Sequence, residues 1–198
     1  MKIKNKKICG IMKIGITKMY KEIADLIGLK DYEVVNPYNS KVDCDFLIIS
    51  KGYKERVKNL NPKAEIFEVK SATFKDLIET LEELKKLDIG DEEKINKSIE
   101  FLKHKEREIK ELAKDLNVKV NPKTEFVKKV IEDLGLEVSD NGILIVPDYL
   151  FNGEQKENII ILKTHNYDLG LVERIEDRYL QIINKLRDFY EGFNKRGS

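Results

Sequence analysis

Apolar positions along this chain alternate between two periods. Ile8, Ile11, Ile14 and Ile16 stand among Gly10 and Gly15, so residues 7–16 predict a strand broken by a glycine turn. From Lys18 the spacing turns helical. Met19, Ile23, Leu26 and Ile27 share a face, Thr17 precedes them as an N-cap, and Gly28 stands where a left-handed residue ends a helix. A short strand at 33–35 runs into the turn-rich Asn36-Pro37-Tyr38-Asn39, and 45–50 is an apolar run of the kind buried on both faces. A helix over 54–60, a strand over 65–69 and a helix over 74–87 follow. Thr73 caps the last of these, and Leu77, Ile78, Leu81 and Leu84 form its buried stripe.

Residues 91–116 predict one long helix with Ile95, Ile99, Leu102, Ile109, Leu112 and Leu116 on one side. Past Asn121-Pro122, a helix over 125–134 ends at Gly135, and strands occupy 143–146 and 158–163. Asn152-Gly153 between those strands reads as a hairpin-like return. An amphipathic helix over 171–190 closes the chain, and no internal repeat is visible. Strands alternating with helices predict an α/β protein with a mostly parallel sheet flanked by helices. Its long helix leads to a smaller C-terminal α/β part. The expected division is an α/β ligand-binding unit over 1–90, then the long helix and C-terminal part over 91–198, packed as one globular protein.

Composition narrows the class. Hydrophobic residues make up 41% and charged residues 37%, enough apolar side chains for a core and too many charges for a membrane protein. The basic start, Met1 to Lys7, is not followed by an apolar leader core, so the chain is expected to be cytoplasmic. With 37 basic and 36 acidic residues the net charge is +1, which argues against general affinity for nucleic acid. The usage of Lys, Glu and Ile, without Trp, fits the charge-rich surfaces of hyperthermophile proteins and suggests an archaeal source. Cys9 and Cys44 form no CxxC pair and the two histidines are far apart. No disulfide framework and no metal site is expected.

Cys9 is the first candidate for chemistry. It stands next to Gly10, which would let a ligand approach the backbone, and Lys13, Lys18 and the helix start after Thr17 could stabilise a thiolate. The competing reading is a thiol packed as a small hydrophobe. Cys44, between Asp43 and Asp45, is the weaker nucleophile because both charges disfavour the thiolate. Ligands of open α/β sheets bind beyond the carboxyl ends of the strands, which puts Asn36, Ser50, Lys51, Lys70, Ser71 and Thr73 in the pocket. Of these, Lys70, Ser71 and Thr73 open a helix with an ammonium, hydroxyls and backbone N–H groups suited to a phosphate or carboxylate. Thr164 and His165 cluster at the end of another strand, where His165 is a candidate base or ligand contact. No Walker loop and no GxGxxG occurs.

The segment Lys7-Ile8-Cys9-Gly10-Ile11, with the chain's size and its Lys/Ile-rich character, resembles the HcgF family, which helps build the iron-guanylylpyridinol cofactor of the methanogen iron hydrogenase. That resemblance implies that Cys9 attacks an adenylylated guanylylpyridinol carboxyl, releases AMP and holds the pyridinol as a thioester. The implied ligand is nucleotide-linked and no cofactor is tightly bound. The E1-like adenylylating enzyme of the same pathway would be a partner, and a homodimer is compatible. Gly10, Lys13, Thr17, Lys70, Ser71, Thr73, Thr164 and His165 are ligand contacts by position alone. A shallower likeness, in Val42-Asp43-Cys44-Asp45-Phe46-Leu47-Ile48-Ile49, is to half of a metal-chelate binding protein. It supports a non-catalytic α/β small-molecule binding protein as the alternative.

Overall fold

The protein is described here by a computed structural model covering residues 12–153, 159–164, 166 and 168–196. Phe46, Leu47, Ile48 and Ile49 are all buried, as a strand covered on both faces requires, and this strand, β3 (Phe46–Ser50), lies inside a four-stranded sheet. Its companions are β1 (Ile14–Thr17), β2 (Glu33–Val35) and β4 (Glu65–Val69), in the order β2-β1-β3-β4, with every pair parallel. A 3-10 turn (Lys18–Tyr20) and α1 (Glu22–Ile27) follow β1, and α2 (Lys54–Leu60) follows β3. After β4 come α3 (Phe74–Lys86) and α4 (Glu92–Ala113).

The chain divides into two units. Lys75–Leu102 belong with the residues before Ala72, whereas Ala72–Phe74 belong with Lys103–Ser198. In the first unit, one face of the sheet packs Leu47 and Ile49 with Cys44, Val57, Ala64 and Ile66. Gly15 is needed there, because a Cβ would lie 2.7 Å from the Leu47 side chain and 2.8 Å from Cys44 Sγ.

The second unit repeats the plan with unrelated residues. Its strands are β5 (Lys119–Pro122), β6 (Glu137–Val138), β7 (Ile143–Pro147) and β8 (Ile159–Leu162). They are again all parallel, in the order β6-β5-β7-β8. Its helices are α5 (Glu125–Asp133), capped by the Thr124 side chain accepting from Val127 N–H, and α6 (Leu171–Arg196). The fold class is thus α/β, with two parallel sheets rather than one.

Each unit closes its outer edge strand in the same way. The N–H and C=O of Lys70, just past β4, are both satisfied by Thr80 Oγ1 of α3, at 3.0 and 2.9 Å. In the second unit the N–H and C=O of Lys163, just past β8, bond Gln181 of α6 at 2.9 and 3.2 Å. Side-chain partners of this kind remove backbone groups that would otherwise template a further strand.

Three expectations need correction. Thr17 does not cap a helix: it is the last residue of β1, makes no side-chain cap bond, and a 3-10 turn precedes α1. Asn152-Gly153 does not make a hairpin, because β7 and β8 run parallel; Gly153, at φ 93°, serves a longer connection. A central strand, β5, lies where only an Asn-Pro turn was expected. Gly28 does end α1 in the left-handed region, at φ 67°.

Candidate functional site at the carboxyl edges of the sheets

With the order β2-β1-β3-β4, the chain leaves the carboxyl ends of β1 and β3 toward opposite sides, which opens a crevice at that point of the sheet edge. β5 and β7 stand in the same relation in the second unit. The carboxyl ends at the first crevice are Thr17 and Ser50.

Ser50 is held by Tyr38, whose hydroxyl donates to Ser50 Oγ at 3.0 Å and accepts from its N–H at 2.9 Å. The Tyr38 ring meets Tyr53 edge-on at 5.0 Å, and Tyr53 is 46% exposed. The amides of Gly52, Tyr53 and Lys54, which open α2, all donate to Glu68 Oε1, at 2.7, 3.1 and 3.1 Å. A carboxylate of the chain itself therefore occupies the anion nest at this helix start. Thr17 is 3% exposed, and its Oγ1 has no hydrogen-bond partner among the described residues.

The residues expected from sequence are not gathered in one place. Lys13 lies at the amino end of β1, at the opposite edge of the sheet, where its ammonium pairs with Asp43 and its N–H donates to Asp45. Lys70, Ser71 and Thr73 do follow the carboxyl end of β4, but they are committed elsewhere. Lys70 Nζ lies 2.7 Å from Glu83 and 3.7 Å from Glu79, and the bond to Glu83 raises its pKa. Ser71 Oγ is 3.3 Å from the Tyr20 hydroxyl, and Thr73 is buried. A phosphate or carboxylate at Lys70 would have to compete with these ion pairs. In the second unit Thr164 Oγ1 donates to Asp148 Oδ1 at 2.8 Å. Cys9, Gly10 and His165 lie outside the described residues.

Cys44 is packed, at 8% exposure, and burial is the main reason its thiol pKa is raised, with Glu33, Asp43 and Asp45 adding to it. Among the described residues no group of three His, Cys, Asp or Glu side chains is placed to hold a metal ion. None of the described helices is long and apolar enough to cross a membrane.

Sequence reasoning passed over Tyr38, Tyr53, Glu68 and Asp148, whose roles depend on tertiary contacts. One signal was in plain view. Lysine directly follows five strand ends: Lys18 after β1, Lys51 after β3, Lys70 after β4, Lys123 after β5 and Lys163 after β8. The amino edge of the first sheet has the opposite character, with Glu33, Asp43, Asp45 and Glu65 there.

Two units, each with a parallel sheet of this order, make up an α/β fold that solved structures share. The chain is similar in fold to zinc-bound AdcAII of Streptococcus pneumoniae, with TM-score 0.58 and 10% identity over 89% of this chain and 100% of that one. It is likewise similar to the vitamin B12 binding protein BtuF of Vibrio cholerae, with TM-score 0.57 and 14% identity over 89% of this chain and 96% of that one. A periplasmic metal binding protein of Candidatus Liberibacter asiaticus gives TM-score 0.60 and 8% identity over 89% of this chain and 100% of that one. At these identities the likeness is one of fold. The chain belongs to the MJ0786 family, matching its N-terminal domain over residues 15–106 and its C-terminal domain over 116–191. An uncharacterized protein of Methanocaldococcus jannaschii is 81% identical over 182 residues, covering 92% of this chain and 98% of that protein.

Proposed function

We propose that the protein is a cytosolic, non-catalytic small-molecule binding protein that takes its ligand at the carboxyl edge of a parallel sheet. The observation that supports this most is the strand order, which puts a crevice between two adjacent strand ends in each unit. The fold likeness to a zinc-bound AdcAII variant, a periplasmic metal binding protein and a vitamin B12 binding protein is in line with that reading. The side chains available in the first unit favour a molecule held by hydroxyls, tyrosine rings and lysines. Among the described residues no cluster of three His, Cys, Asp or Glu side chains is placed to hold a metal ion.

The test is guanidinium unfolding of the full chain with and without GMP, AMP, citrate and guanosine. A ligand at 100 times its Kd adds about 2.7 kcal/mol to the unfolding free energy, which moves the midpoint well beyond experimental scatter. A shift with at least one compound is expected. No shift with any of them at millimolar concentration would overturn the reading.

A second reading is carried by the N-terminal resemblance alone: Cys9 accepts the acyl group of adenylylated guanylylpyridinol and AMP leaves. The Cys9 sulfur forms the new bond to the carbonyl carbon, the bond from that carbon to the AMP oxygen breaks, and the thiol proton goes to solvent. Intact mass after incubation with that acyl-adenylate should show the adduct in the wild type and not in Cys9→Ala. An adduct retained by the variant would refute the assignment.

A further inference from the structure

The first sheet is polarised along its strands. Its amino edge carries Glu33, Asp43, Asp45 and Glu65 against Lys13, and Lys13 is already paired with Asp43. At its carboxyl edge, Lys18 and Lys51 directly follow Thr17 and Ser50, the two strand ends that flank the crevice. Both lysines are exposed, and neither has an ion-pair partner among the described residues. The register Ile16↔Ile48 places them after neighbouring strands, whose axes lie about 4.8 Å apart. An anion held at the crevice would gain from both charges.

Two groups that could compete, Glu68 and Lys70, are engaged. Glu68 is bound to three amides, and Lys70 is paired with Glu83 and Glu79. The amides at the start of α2 are therefore unavailable, and among the described residues Lys18 and Lys51 are open positive charges directly after the two strand ends.

The second, independent observation is Thr17. Side chains alternate along a strand, so Thr17 shares the face of Gly15, the face packed by Leu47, Cys44 and Val35. Tyr38 packs on that same cluster and reaches Ser50 at the carboxyl end. The Thr17 hydroxyl thus stands on the Tyr38 side of the crevice, buried and without a partner among the described residues. A hydroxyl left so is costly unless something bonds it.

Resting on the binding-protein reading, we infer that the crevice between the ends of β1 and β3 binds the oxyanion group, phosphate or carboxylate, of a small molecule, with Lys18 and Lys51 supplying charge and Thr17 a buried hydrogen bond. The ligand is anionic, and Lys70 takes no part in holding it.

The experiment follows the amide resonances of Thr17, Lys18, Ser50 and Lys51 in the full chain during titration with inorganic phosphate, with citrate, and with guanosine as a neutral control. Phosphate as the better ligand points to phosphate esters, and citrate as the better to carboxylates. In either case these four amides are expected to move. Lys18→Gln combined with Lys51→Gln should weaken binding at least tenfold, and Lys13→Gln should leave it unchanged. Thr17→Val should weaken binding roughly tenfold, the loss of one hydrogen bond to a charged group, while the unliganded protein becomes no less stable.

If guanosine moves these amides and the anions do not, the inference is wrong and the binding-protein reading stands. If Thr17→Val leaves anion affinity unchanged, the hydroxyl holds a buried water only and the assigned contact is overturned. Shifts confined to other residues also overturn it. If none of the three compounds moves any amide, both this inference and the reading beneath it fail.

Discussion

Tyr179→Phe removes one oxygen from the core of the second unit, and the structure sets the scale of the effect. Tyr179 is 1% exposed and stacks on Phe74, with ring centroids 5.6 Å apart. Its hydroxyl accepts from Phe74 N–H at 3.3 Å and donates to Asp133. Phe74 opens α3, so its N–H has no acceptor within the helix, and the residue is fully buried. Removing the hydroxyl leaves that N–H unsatisfied, at about 1–3 kcal/mol, and loses a charge-assisted bond of about 1.5–3 kcal/mol. Asp133 keeps Lys110 at 3.3 Å, and the two losses share one group and do not add fully, so a net loss of about 2–4 kcal/mol is expected. For a chain of this length that corresponds to roughly 4–16 °C.

Guanidinium unfolding of Tyr179→Phe, Asp133→Asn and the double variant measures both the loss and the coupling. A Tyr179→Phe loss below about 0.5 kcal/mol would refute the reasoning. The sign of the pH effect is also set. Burial, and then Asp133, raise the phenol pKa well above its ordinary value of 10.0. The folded state therefore holds the proton more tightly, and stability is lost as pH rises above 10.0. That alkaline loss should be smaller in Tyr179→Phe.

Glu68→Ala removes the acceptor of three amides at the start of α2, and because the site is exposed a loss of about 1–2 kcal/mol is expected. Glu68→Gln, which keeps one carbonyl oxygen, should lose less than Glu68→Ala, and equal losses would show that the retained oxygen does not hold these amides without the carboxylate charge. Gly142→Ala would bring a Cβ to 2.5 Å from Val120 N and 2.6 Å from Lys119 O, so β5 and the start of β7 must separate; unfolding should show a loss above about 2 kcal/mol, and an unchanged midpoint would contradict the packing. Cys44 should react slowly with iodoacetamide at neutral pH, because burial raises its pKa above the ordinary 9.0 and keeps it a neutral thiol. The same shift makes stability fall as pH rises through and above 9.0; labelling of native Cys44 at the rate of the unfolded chain would refute its burial.

The elements legible in the sequence were those whose own pattern is strong. The run at Phe46–Ser50 and the helical stripes of α3 and α4 announce themselves, and α4 was placed to within three residues at either end. β5 and β6 were missed because they have four and two residues, and Asn121-Pro122, which ends β5, carries a turn signature. Asn152-Gly153 misled for a related reason: the dipeptide reports local backbone preference, while the partner and direction of β8 are tertiary facts. The repeated strand order was invisible because it resides in connectivity, which unrelated side chains satisfy equally well.

The candidate site was half legible. That ligands gather at strand ends pointed to Ser50, Lys51 and Lys70, but the ion pairs of Lys70 with Glu79 and Glu83 form only once α3 packs beside β4. Thr17 looked like a cap because helix follows strand there. Its hydroxyl is instead buried at the strand end.

Hydrogen exchange across the whole chain, with and without the compound that most raises the unfolding midpoint, tests the central claim most directly. Ligand-dependent protection is expected in the segments that leave the carboxyl edge of a sheet: 18–20, 36–38 and 51–53 in the first unit, or 123–124, 139–141 and 148–150 in the second. Protection centred instead on the amino edges, around Lys13, Glu33, Asp45 and Glu65, would contradict the account.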